Sequence, residues 1–341
     1  MPRCADTFPA LSERHVVRAL VQQKFGDPAE VLAVQEVPAP RPGPGEVLVR
    51  VLLSPIHNHD LWTVRGSYGF KPEMPARSGT EFVGVVETLG EGVDGLAVGQ
   101  RVASGGTFGA WAEFVVAPAH TLIPVPDAIG DEAASQLVSM PFSAIALLDS
   151  LGLAEGDWFV QNAANGAVGR LVAQLAAARG VRVLGLVRRA DGVAELREQG
   201  IGDVVATDDD GWRDRVREIV GDAPIRAGVD SVGGAAAGDV VSLLAEGGRL
   251  VVFGAMASPT LEISSGDVIF KQVTITGFWG SKVFPAMEAG KRASLLGELV
   301  TGIASGALTL PVEHVYPLEE IADAARGNAA PGRTGKILLR P

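Results

Sequence analysis

The second half of the chain alternates short apolar runs with segments of helical periodicity, and this alternation constrains the fold more than any other feature. Residues 158–161 form a short apolar run, and apolar residues recur at helical spacing from Leu171 to Ala176. Residues 181–187 form a second apolar run, which a predicted helix over residues 190–198 follows. Further candidate strands lie at 204–206, 227–232, 249–254 and 273–277. Strands that alternate with helices form βαβ units, so we predict an α/β fold with a doubly wound parallel sheet.

The first half of the chain has a different pattern, with short strands separated by glycine and proline. A breaker cluster at residues 38–45 precedes a strand at 46–53, and further short strands are predicted at 16–22, 79–92, 99–103 and 110–117. Short strands at this spacing are typical of a barrel-like or sandwich domain. Residues 295–341 return to mixed helix and strand, so we predict two domains.

Composition and charge exclude several classes of protein. The single cysteine, Cys4, excludes a disulfide framework and a four-cysteine zinc site. The net charge of −11 argues against a nucleic-acid partner or an anionic membrane surface. Residues 1–15 lack the apolar segment of a secretory signal and contain Asp6 and Glu13, so we expect a flexible N-terminal tail, no membrane association and a cytoplasmic location.

One glycine-containing turn has the pattern of a dinucleotide fingerprint. It follows the strand at 158–161 and opens a helix, and its cofactor-binding candidates are Asn165, Gly166, Ala167, Val168 and Gly169. Arg188 and Arg189 stand at the end of the next strand, where an NAD site would carry a carboxylate. Two guanidinium groups suit a 2′-phosphate, so we predict NADPH as the cofactor. The alternatives are a plain strand–helix turn and an exposed, charged strand end.

Two later strand ends are candidates for the same groove, because ligands of doubly wound sheets collect at the carboxyl ends of strands. Their residues are Phe253, Gly254, Ala255 and Met256 at one strand, and Phe278, Trp279, Gly280 and Ser281 at another. For the two aromatic residues of the second group, packing in the core or at an interface is an equally weighted interpretation.

Several motifs resemble those of the medium-chain dehydrogenase/reductases. They are Pro44-Gly45-Glu46-Val47-Leu48-Val49, Gly79-x-Glu81-x-x-Gly84 and the Val229–Gly234 strand end. Other stretches are most similar to the zinc-free 2-enoyl thioester reductases of mitochondrial type, with quinone reductases as neighbours: Gly66-Ser67-Tyr68-Gly69, Gln161-Asn162-Ala163-Ala164-Asn165, Gly254-Ala255-Met256 and Gly277-Phe278-Trp279. The resemblance implies a GroES-like catalytic domain at 16–138 and 283–341 and a Rossmann NADPH-binding domain at 139–282. It implies catalysis in the cleft between the two, and a homodimer formed through the last Rossmann strand.

The positions that hold catalytic zinc in related alcohol dehydrogenases correspond to His57, Thr80 and Met140. Neither Thr80 nor Met140 suits zinc, so we expect a protein without stoichiometric metal. A metal site built on His57, His59, Glu81 and His120 is the minor alternative to hydrogen-bonded histidines. On a strand, His57 and His59 would share one face.

Without zinc, another group must donate a proton to the substrate. Tyr68 lies in a glycine-flanked loop and coincides with the tyrosine that resembles the proton donor of the enoyl reductases. Asp60 is the second catalytic candidate, with an alternative role in fixing the loop by hydrogen bonds. Lys336 matches a lysine that contacts the cofactor in the enoyl reductases, and a solvated strand lysine is the alternative.

We therefore predict an NADPH-dependent enzyme that transfers hydride to the activated double bond of an acyl thioester or enone. Met140 stands where enoyl reductases carry asparagine, which keeps quinone reduction open as an alternative. A zinc-type alcohol dehydrogenase and a non-enzymatic, crystallin-like NADPH-binding protein are further alternatives. The acidic charge of the chain does not favour an acidic acyl carrier protein as partner.

Overall fold

The structure is a computed structural model that describes residues 15–330 and 332–341. The tail predicted for residues 1–15 lies, apart from His15, outside the described residues. The chain divides into two compact units. The first contains the described residues up to Ser139 together with Thr309–Pro341, and the second is Met140–Leu308.

The described residues form strands and helices in the following order. The strands are β1 Val16–Gln22, β2 Leu32–Pro38, β3 Glu46–Pro55, β4 Ala76–Arg77, β5 Glu81–Leu89, β6 Arg101–Gly105, β7 Phe114–Pro118, β8 Ile123–Pro124, β9 Trp158–Gln161, β10 Arg182–Val187, β11 Val204–Ala206, β12 Ile225–Asp230, β13 Arg249–Val252, β14 Thr274–Gly277, β15 Val312–Pro317 and β16 Lys336–Arg340. The helices are α1 Pro28–Val31, α2 Asn58–Arg65, α3 Asp131–Ser135, α4 Ser139–Ser150, α5 Ala167–Ala178, α6 Ala190–Glu198, α7 Trp212–Val220, α8 Ala235–Leu243, α9 Ser265–Lys271, α10 Gly280–Ala286, α11 Ala289–Ala304 and α12 Ile321–Ala329.

The second unit is built on a six-stranded parallel sheet in the order β11-β10-β9-β12-β13-β14. Its strand order reverses beside β9, which is the arrangement of a doubly wound Rossmann sheet. The strands are short and apolar because helices cover a parallel sheet on both faces. The predicted parallel sheet is therefore confirmed, and the predicted bounds of its strands agree to within two residues.

Helix α5 shows why these segments become helices. Its apolar residues Leu171, Val172, Leu175 and Ala176 are buried, and they recur one turn apart on the face toward the sheet. Charged residues Arg188 and Arg189 are exposed where β10 ends and α6 begins. The alternation read from the sequence thus reflects which face of each element is buried.

The first unit is β-rich and largely antiparallel. A three-stranded sheet has the order β2-β1-β4, and a seven-stranded sheet has the path β15-β16-β3-β5-β6-β8, with β7 paired to β3. β3 is central because it pairs antiparallel with β5, β7 and β16. Valines of β3 pack with Phe82 and Val102 in one apolar cluster, and Trp111 packs with Ile56 and Leu339 in another. The predicted β-rich domain is confirmed.

The division of the chain differs from the predicted boundary at 282/283, because residues 283–308 belong to the second unit. Helix α11 buries Leu295, Leu299 and Ile303 there. Its exposed side carries two ion pairs within the same unit, Glu298 with Arg179 and Lys291 with Asp149. The helical periodicity of this segment does not indicate which domain the helix packs against. The boundary predicted from the sequence therefore lies 26 residues before the one in the structure, which falls between Leu308 and Thr309.

Candidate active site

The turn between β9 and α5 has the geometry of a dinucleotide fingerprint. Ala163 has a φ of 48°, and Gly166 is the N-cap of α5. A Cβ atom at Gly169 would lie 2.7 Å from the carbonyl oxygen of Ala163 and 2.8 Å from that of Ala164. Only glycine allows the first turn of α5 to approach the strand so closely, which is the role of the last glycine in such a fingerprint.

The start of α5 presents free backbone donors. Asn165, Gly166 and Ala167 are exposed, Val168 and Gly169 are half-buried, and no side chain of the described residues caps the helix. The first N–H groups of a helix have no partner within it, and they stand at the positive end of its dipole. This turn can therefore hold a pyrophosphate.

A buried polar pair that the sequence analysis did not single out joins the ends of β9 and β12. The amide of Asn162 donates to Oδ1 of Asp230 at 2.5 Å, and its oxygen accepts the N–H of Ser231 at 2.7 Å. Asp230 also accepts the N–H groups of Val232 and Gly233. The pair fixes the carboxyl edge of the sheet where the strand order reverses. The sequence sign of this pair is Asp230, a carboxylate at the end of the apolar strand in Val229–Gly234.

Arg188 and Arg189 follow β10 directly and are exposed. Neither guanidinium has an ion-pair partner among the described residues, whereas Arg182 at the start of the same strand pairs with Asp203. Parallel neighbours β9 and β10 end at the same edge of the sheet. The two arginines thus stand one strand away from the fingerprint turn, with their charges available to an anion.

The two later strand ends also lie at the carboxyl edge. Phe253 and Gly254 are half-buried after β13, and Ala255 and Met256 are exposed. After β14, Phe278 is buried among Phe253 and Phe284, and Trp279 caps α10, which begins at Gly280 and Ser281. Phe278 therefore has the packing role that the alternative interpretation gave it, and Trp279, 43% exposed, is the aromatic ring that faces outward.

Tyr68, Asp60 and Lys336 belong to the first unit, where α2 organises them. Helix α2 begins after His57, whose N–H donates to Oδ2 of Asp60 at 2.9 Å, and it ends at Gly66 with a φ of 74°. A Cβ at Gly66 would lie 2.8 Å from the ring of Phe25, so only glycine fits at this end of the helix. The left-handed turn at Gly66 ends α2 and places Tyr68 in the loop that follows. His57 and His59 do not lie on the strand that would have put them on one face in the metal-site alternative, because the Asp60 carboxylate caps a helix at this point.

Tyr68 lies against a chain of polar side chains. Its ring centroid is 5.8 Å from that of His59, and Nε2 of His59 is 2.9 Å from Oγ1 of Thr80. The hydroxyl of Thr80 donates to Oδ1 of Asp60 at 2.7 Å. His59 must therefore donate to Thr80. Asp60 is buried and accepts hydrogen bonds on both oxygens, which favours its alternative role of fixing the loop over direct catalysis.

A buried charged network lies directly beside this chain. Nζ of Lys336 is 3.0 Å from Nδ1 of His57, and Nε2 of His57 is 2.6 Å from Oε2 of Glu81. The other oxygen of Glu81 accepts the N–H groups of Val138 and Ser139 at 2.6 and 2.8 Å. An ammonium group can only donate, so Nδ1 of His57 accepts and its Nε2–H donates to the carboxylate. Glu81 and Lys336 belong to motifs of the family resemblance and His57 to the zinc-ligand positions, but nothing in the sequence predicts that these three side chains bond to one another.

Burial shifts all three of these groups toward their neutral forms. It lowers the pKa of His57 well below the usual value, with the Lys336 charge acting in the same direction. Burial raises the pKa of Glu81 to about 7, although the hydrogen bonds from the two backbone N–H groups act in the opposite direction. Burial also lowers the pKa of Lys336 to about 8. The imidazole between them is therefore neutral near neutral pH, while the Glu81 carboxylate and the Lys336 ammonium group each favour the charged form of the other.

The positions that correspond to zinc ligands are used differently in this chain. His57 bonds to Lys336 and Glu81, and Thr80 bonds to His59 and Asp60. Within residues 15–330 and 332–341, no group of three or more His, Cys, Asp or Glu side chains is arranged to hold a metal ion. The absence of zinc itself stays a prediction.

Comparison with known proteins places the chain in a family. Residues 43–127 match the alcohol dehydrogenase GroES-like domain, and residues 167–292 match the zinc-binding dehydrogenase domain. The chain belongs to the medium-chain dehydrogenase/reductases and is an oxidoreductase. It is 33% identical to the human mitochondrial enoyl-[acyl-carrier-protein] reductase over 98% of this chain and 91% of that protein.

Solved structures give a second set of relatives. A mycobacterial quinone oxidoreductase is 30% identical, with a TM-score of 0.83, covering 95% of this chain and 100% of that one. A mycobacterial protein complexed with NADPH is also 30% identical, with a TM-score of 0.84 and the same coverage. The predicted family and its two neighbouring branches are thus confirmed. No helix within the described part of the chain is long and apolar enough to cross a membrane.

Proposed function

We propose that this chain is an NADPH-dependent reductase of activated carbon–carbon double bonds, with an enoyl thioester or enone as substrate. The observation that carries the proposal is Tyr68, which the Gly66 turn delivers against His59 and which matches the proton-donor position of the enoyl reductases. The human relative, named as an enoyl-[acyl-carrier-protein] reductase and aligned over 98% of this chain, supports the same reaction.

The bound dinucleotide would supply a hydride to the β-carbon of the substrate. Negative charge then develops on the carbonyl oxygen, and a donor placed there stabilises the enolate. The phenolic O–H of Tyr68 is such a donor, because a tyrosine hydroxyl is protonated at neutral pH. His59, Thr80 and Asp60 hold its ring in place through their linked hydrogen bonds. The same hydroxyl then gives its proton to the α-carbon, and water returns a proton to the phenolate, which completes the reduction.

The cofactor residues that we propose are the fingerprint turn Asn165–Gly169, Arg188 and Arg189, the two strand ends Phe253–Met256 and Trp279–Ser281, and Lys336. The free N–H groups of α5 support a pyrophosphate, and the two unpaired guanidinium groups support a 2′-phosphate. The amino group of Lys336 donates to His57 and to the carbonyl of Ile56 at 3.4 Å, and its third N–H finds no acceptor among the described residues. That remaining donor supports a contact with a bound molecule.

We expect the double substitution Arg188→Ala and Arg189→Ala to weaken NADPH binding by about tenfold or more and to leave NADH binding nearly unchanged. Each charge-assisted hydrogen bond to phosphate contributes roughly 1.5–3 kcal/mol, and NADH lacks the phosphate. Calorimetric titration of both cofactors measures the effect. Arg226→Ala is the matched control, because Arg226 is exposed at the opposite, amino end of a parallel strand. Equal affinity of the unaltered protein for NADPH and NADH would contradict the assignment.

Quinone reduction is the second candidate function. The 30% identity to a mycobacterial quinone oxidoreductase favours it, as does Met140 at the asparagine position of the enoyl reductases. The test is oxidation of NADPH with a panel of trans-2-butenoyl thioester, cyclohexenone and benzoquinone. Turnover of the first two supports our proposal, and turnover of the quinone alone would replace it by the second candidate.

We also propose that two copies of the chain associate through β14. This strand is the edge of the parallel sheet, and all four of its residues are exposed. Ile275 of this strand is 39% exposed, and Ile269 and Phe270 of the preceding helix α9 are exposed too, at 58% and 82%. An unpaired, apolar sheet edge is a surface that a second copy can cover. The cytoplasmic location stays a prediction, since the human relative is named as mitochondrial.

A further inference from the structure

A carboxylate without a neighbouring cation is buried at the carboxyl edge of the parallel sheet. Asp230, the last residue of β12, has no exposed surface, and its Oδ1 accepts the Asn162 amide at 2.5 Å. The same oxygen accepts the N–H groups of Val232 and Gly233, each at 3.1 Å. All of these donors are neutral, and within the described residues no lysine, arginine or histidine is paired with this carboxylate. Buried carboxylates are normally paired with a cation or a metal, so Asp230 is present either for its hydrogen bonds or for its charge.

The hydrogen bonds of Asp230 need an oxygen atom but not a charge. Its three donors all converge on Oδ1, and Oδ2 has only a second, longer contact with the N–H of Gly233 at 3.2 Å. An asparagine would present the same oxygen to the same donors. The backbone carbonyl of Asp230 accepts the N–H groups of Phe253 and Gly254 at 2.7 and 3.2 Å, and these bonds do not depend on the side chain. The negative charge is therefore the feature that a purely structural role leaves unexplained.

Asp230 lies on the opposite side of the fingerprint turn from the two arginines. The strand order is β10-β9-β12, with Arg188 and Arg189 after β10, the fingerprint turn after β9 and Asp230 at the end of β12. Neighbouring strands of a sheet are about 4.8 Å apart. With its 2′-phosphate at the arginines and its pyrophosphate at the fingerprint turn, a dinucleotide directs its nicotinamide half toward the β12 side of the sheet.

We propose that the charge of Asp230 stabilises the oxidised form of the cofactor, whose nicotinamide ring is a cation, over the reduced form, whose ring is neutral. The inference rests on the proposed function and deepens it. When a hydride leaves with its electron pair and forms the new C–H bond at the substrate β-carbon, one positive charge remains on the ring. A buried, unpaired carboxylate is screened little by water and salt, so its charge acts over about 10 Å or more. Asp230 therefore favours donation of the hydride.

The direct test replaces Asp230 by asparagine and measures the dissociation constants of NADP⁺ and NADPH by calorimetric titration. We expect the ratio of the NADP⁺ constant to the NADPH constant to rise about fivefold or more. Two unit charges about 15 Å apart, at an effective dielectric constant of about 20, shift an equilibrium by about that factor. Asp239→Asn is the matched control, because this carboxylate of the same unit already pairs with Arg213 and should leave the ratio within about twofold.

Two further variants separate the charge from the hydrogen bonds. Asp230→Glu keeps the charge but displaces the oxygens, so both affinities should fall while their ratio stays within about twofold. Ser231→Lys adds a cation beside the carboxylate and keeps the hydrogen bonds of the pair, because the Asn162 oxygen accepts the backbone N–H of Ser231 and not its side chain. The ratio for Ser231→Lys should rise as it does for Asp230→Asn. A residue that only shaped the sheet edge would change both affinities together in every variant.

Equal changes in the two dissociation constants, or no change, for both Asp230→Asn and Ser231→Lys would overturn the role of the charge while the proposed reaction stands. Failure of the unaltered protein to bind either form of the cofactor would overturn the proposed function and the role of Asp230 with it. Thermal unfolding verifies the fold of each variant, and Ser231→Lys decides alone where Asp230→Asn does not fold.

Discussion

Replacing Tyr68 by phenylalanine should lower the rate of enoyl thioester reduction by about 10²–10⁴-fold, because general acid catalysis contributes rate factors of this size. The substitution keeps the ring and its contact with His59, at 5.8 Å between centroids, and removes only the hydroxyl. Cofactor affinity should stay within about twofold, since Tyr68 is not among the residues proposed to hold the cofactor. Single-turnover oxidation of NADPH measures the chemical step, and titration measures cofactor binding.

Tyr316→Phe is a matched control, because the chain contains only two tyrosines and Tyr316 is a half-buried residue that packs against an apolar cluster of the first unit. It should leave the rate nearly unchanged. Quinones accept hydride without protonation of a carbon atom, so Tyr68→Phe should slow their reduction much less. Enoyl thioester reduction within about twofold of the unaltered protein would mean that Tyr68 is a surface aromatic and that water or another group supplies the proton.

Local sequence predicted the parts of the fold that depend on local periodicity. The helix predicted at 190–198 is α6 with the same bounds, and the run at 181–187 is β10 with one residue fewer. Glycine spacing similarly predicted the turn before α5, because a close approach of helix and strand leaves a signature within a few residues. These features depend on neighbours in the chain, so one sequence is enough to find them.

The polar network of the first unit depends on distant residues, and one sequence cannot supply it. His57, Glu81 and Lys336 are separated by 24 and 255 positions along the chain, since 81 − 57 is 24 and 336 − 81 is 255. The Gly79-x-Glu81 motif indicated that Glu81 mattered but not what it bonds to. The resemblance associated Lys336 with the cofactor, and the structure adds that His57 and a backbone carbonyl also hold its amino group.

Replacing Glu81 by glutamine should lower the free energy of unfolding by about 3–5 kcal/mol, although the side chains have nearly the same shape. The amide oxygen must accept the N–H groups of Val138 and Ser139, so its NH₂ group would face Nε2 of His57. The His57 proton then has to move to Nδ1, where it meets the ammonium donors of Lys336. The opposite orientation of the amide sets its NH₂ group against the backbone N–H groups instead. Either arrangement leaves buried donors facing each other, unless Lys336 gives up the proton that the charge of Glu81 helps it to keep.

Adding Lys336→Met to Glu81→Gln separates this explanation from a simple loss of packing. With the ammonium group gone, the proton on Nδ1 of His57 no longer meets a donor, so the double variant should be more stable than the sum of the single effects by about 0.5–3 kcal/mol. The double-mutant cycle compares the unaltered protein, Glu81→Gln, Lys336→Met and the double variant. The free energy of unfolding of each is measured by urea unfolding at a pH between 7 and 8, followed by circular dichroism without cofactor. Asp323→Asn is the control, because Asp323 forms an exposed ion pair with Arg326 in the same unit and should cost less than about 1 kcal/mol. Strict additivity would show that Lys336, His57 and Glu81 do not act as one network, and a loss below about 1 kcal/mol for Glu81→Gln would show that their charges carry little of the stability of the first unit.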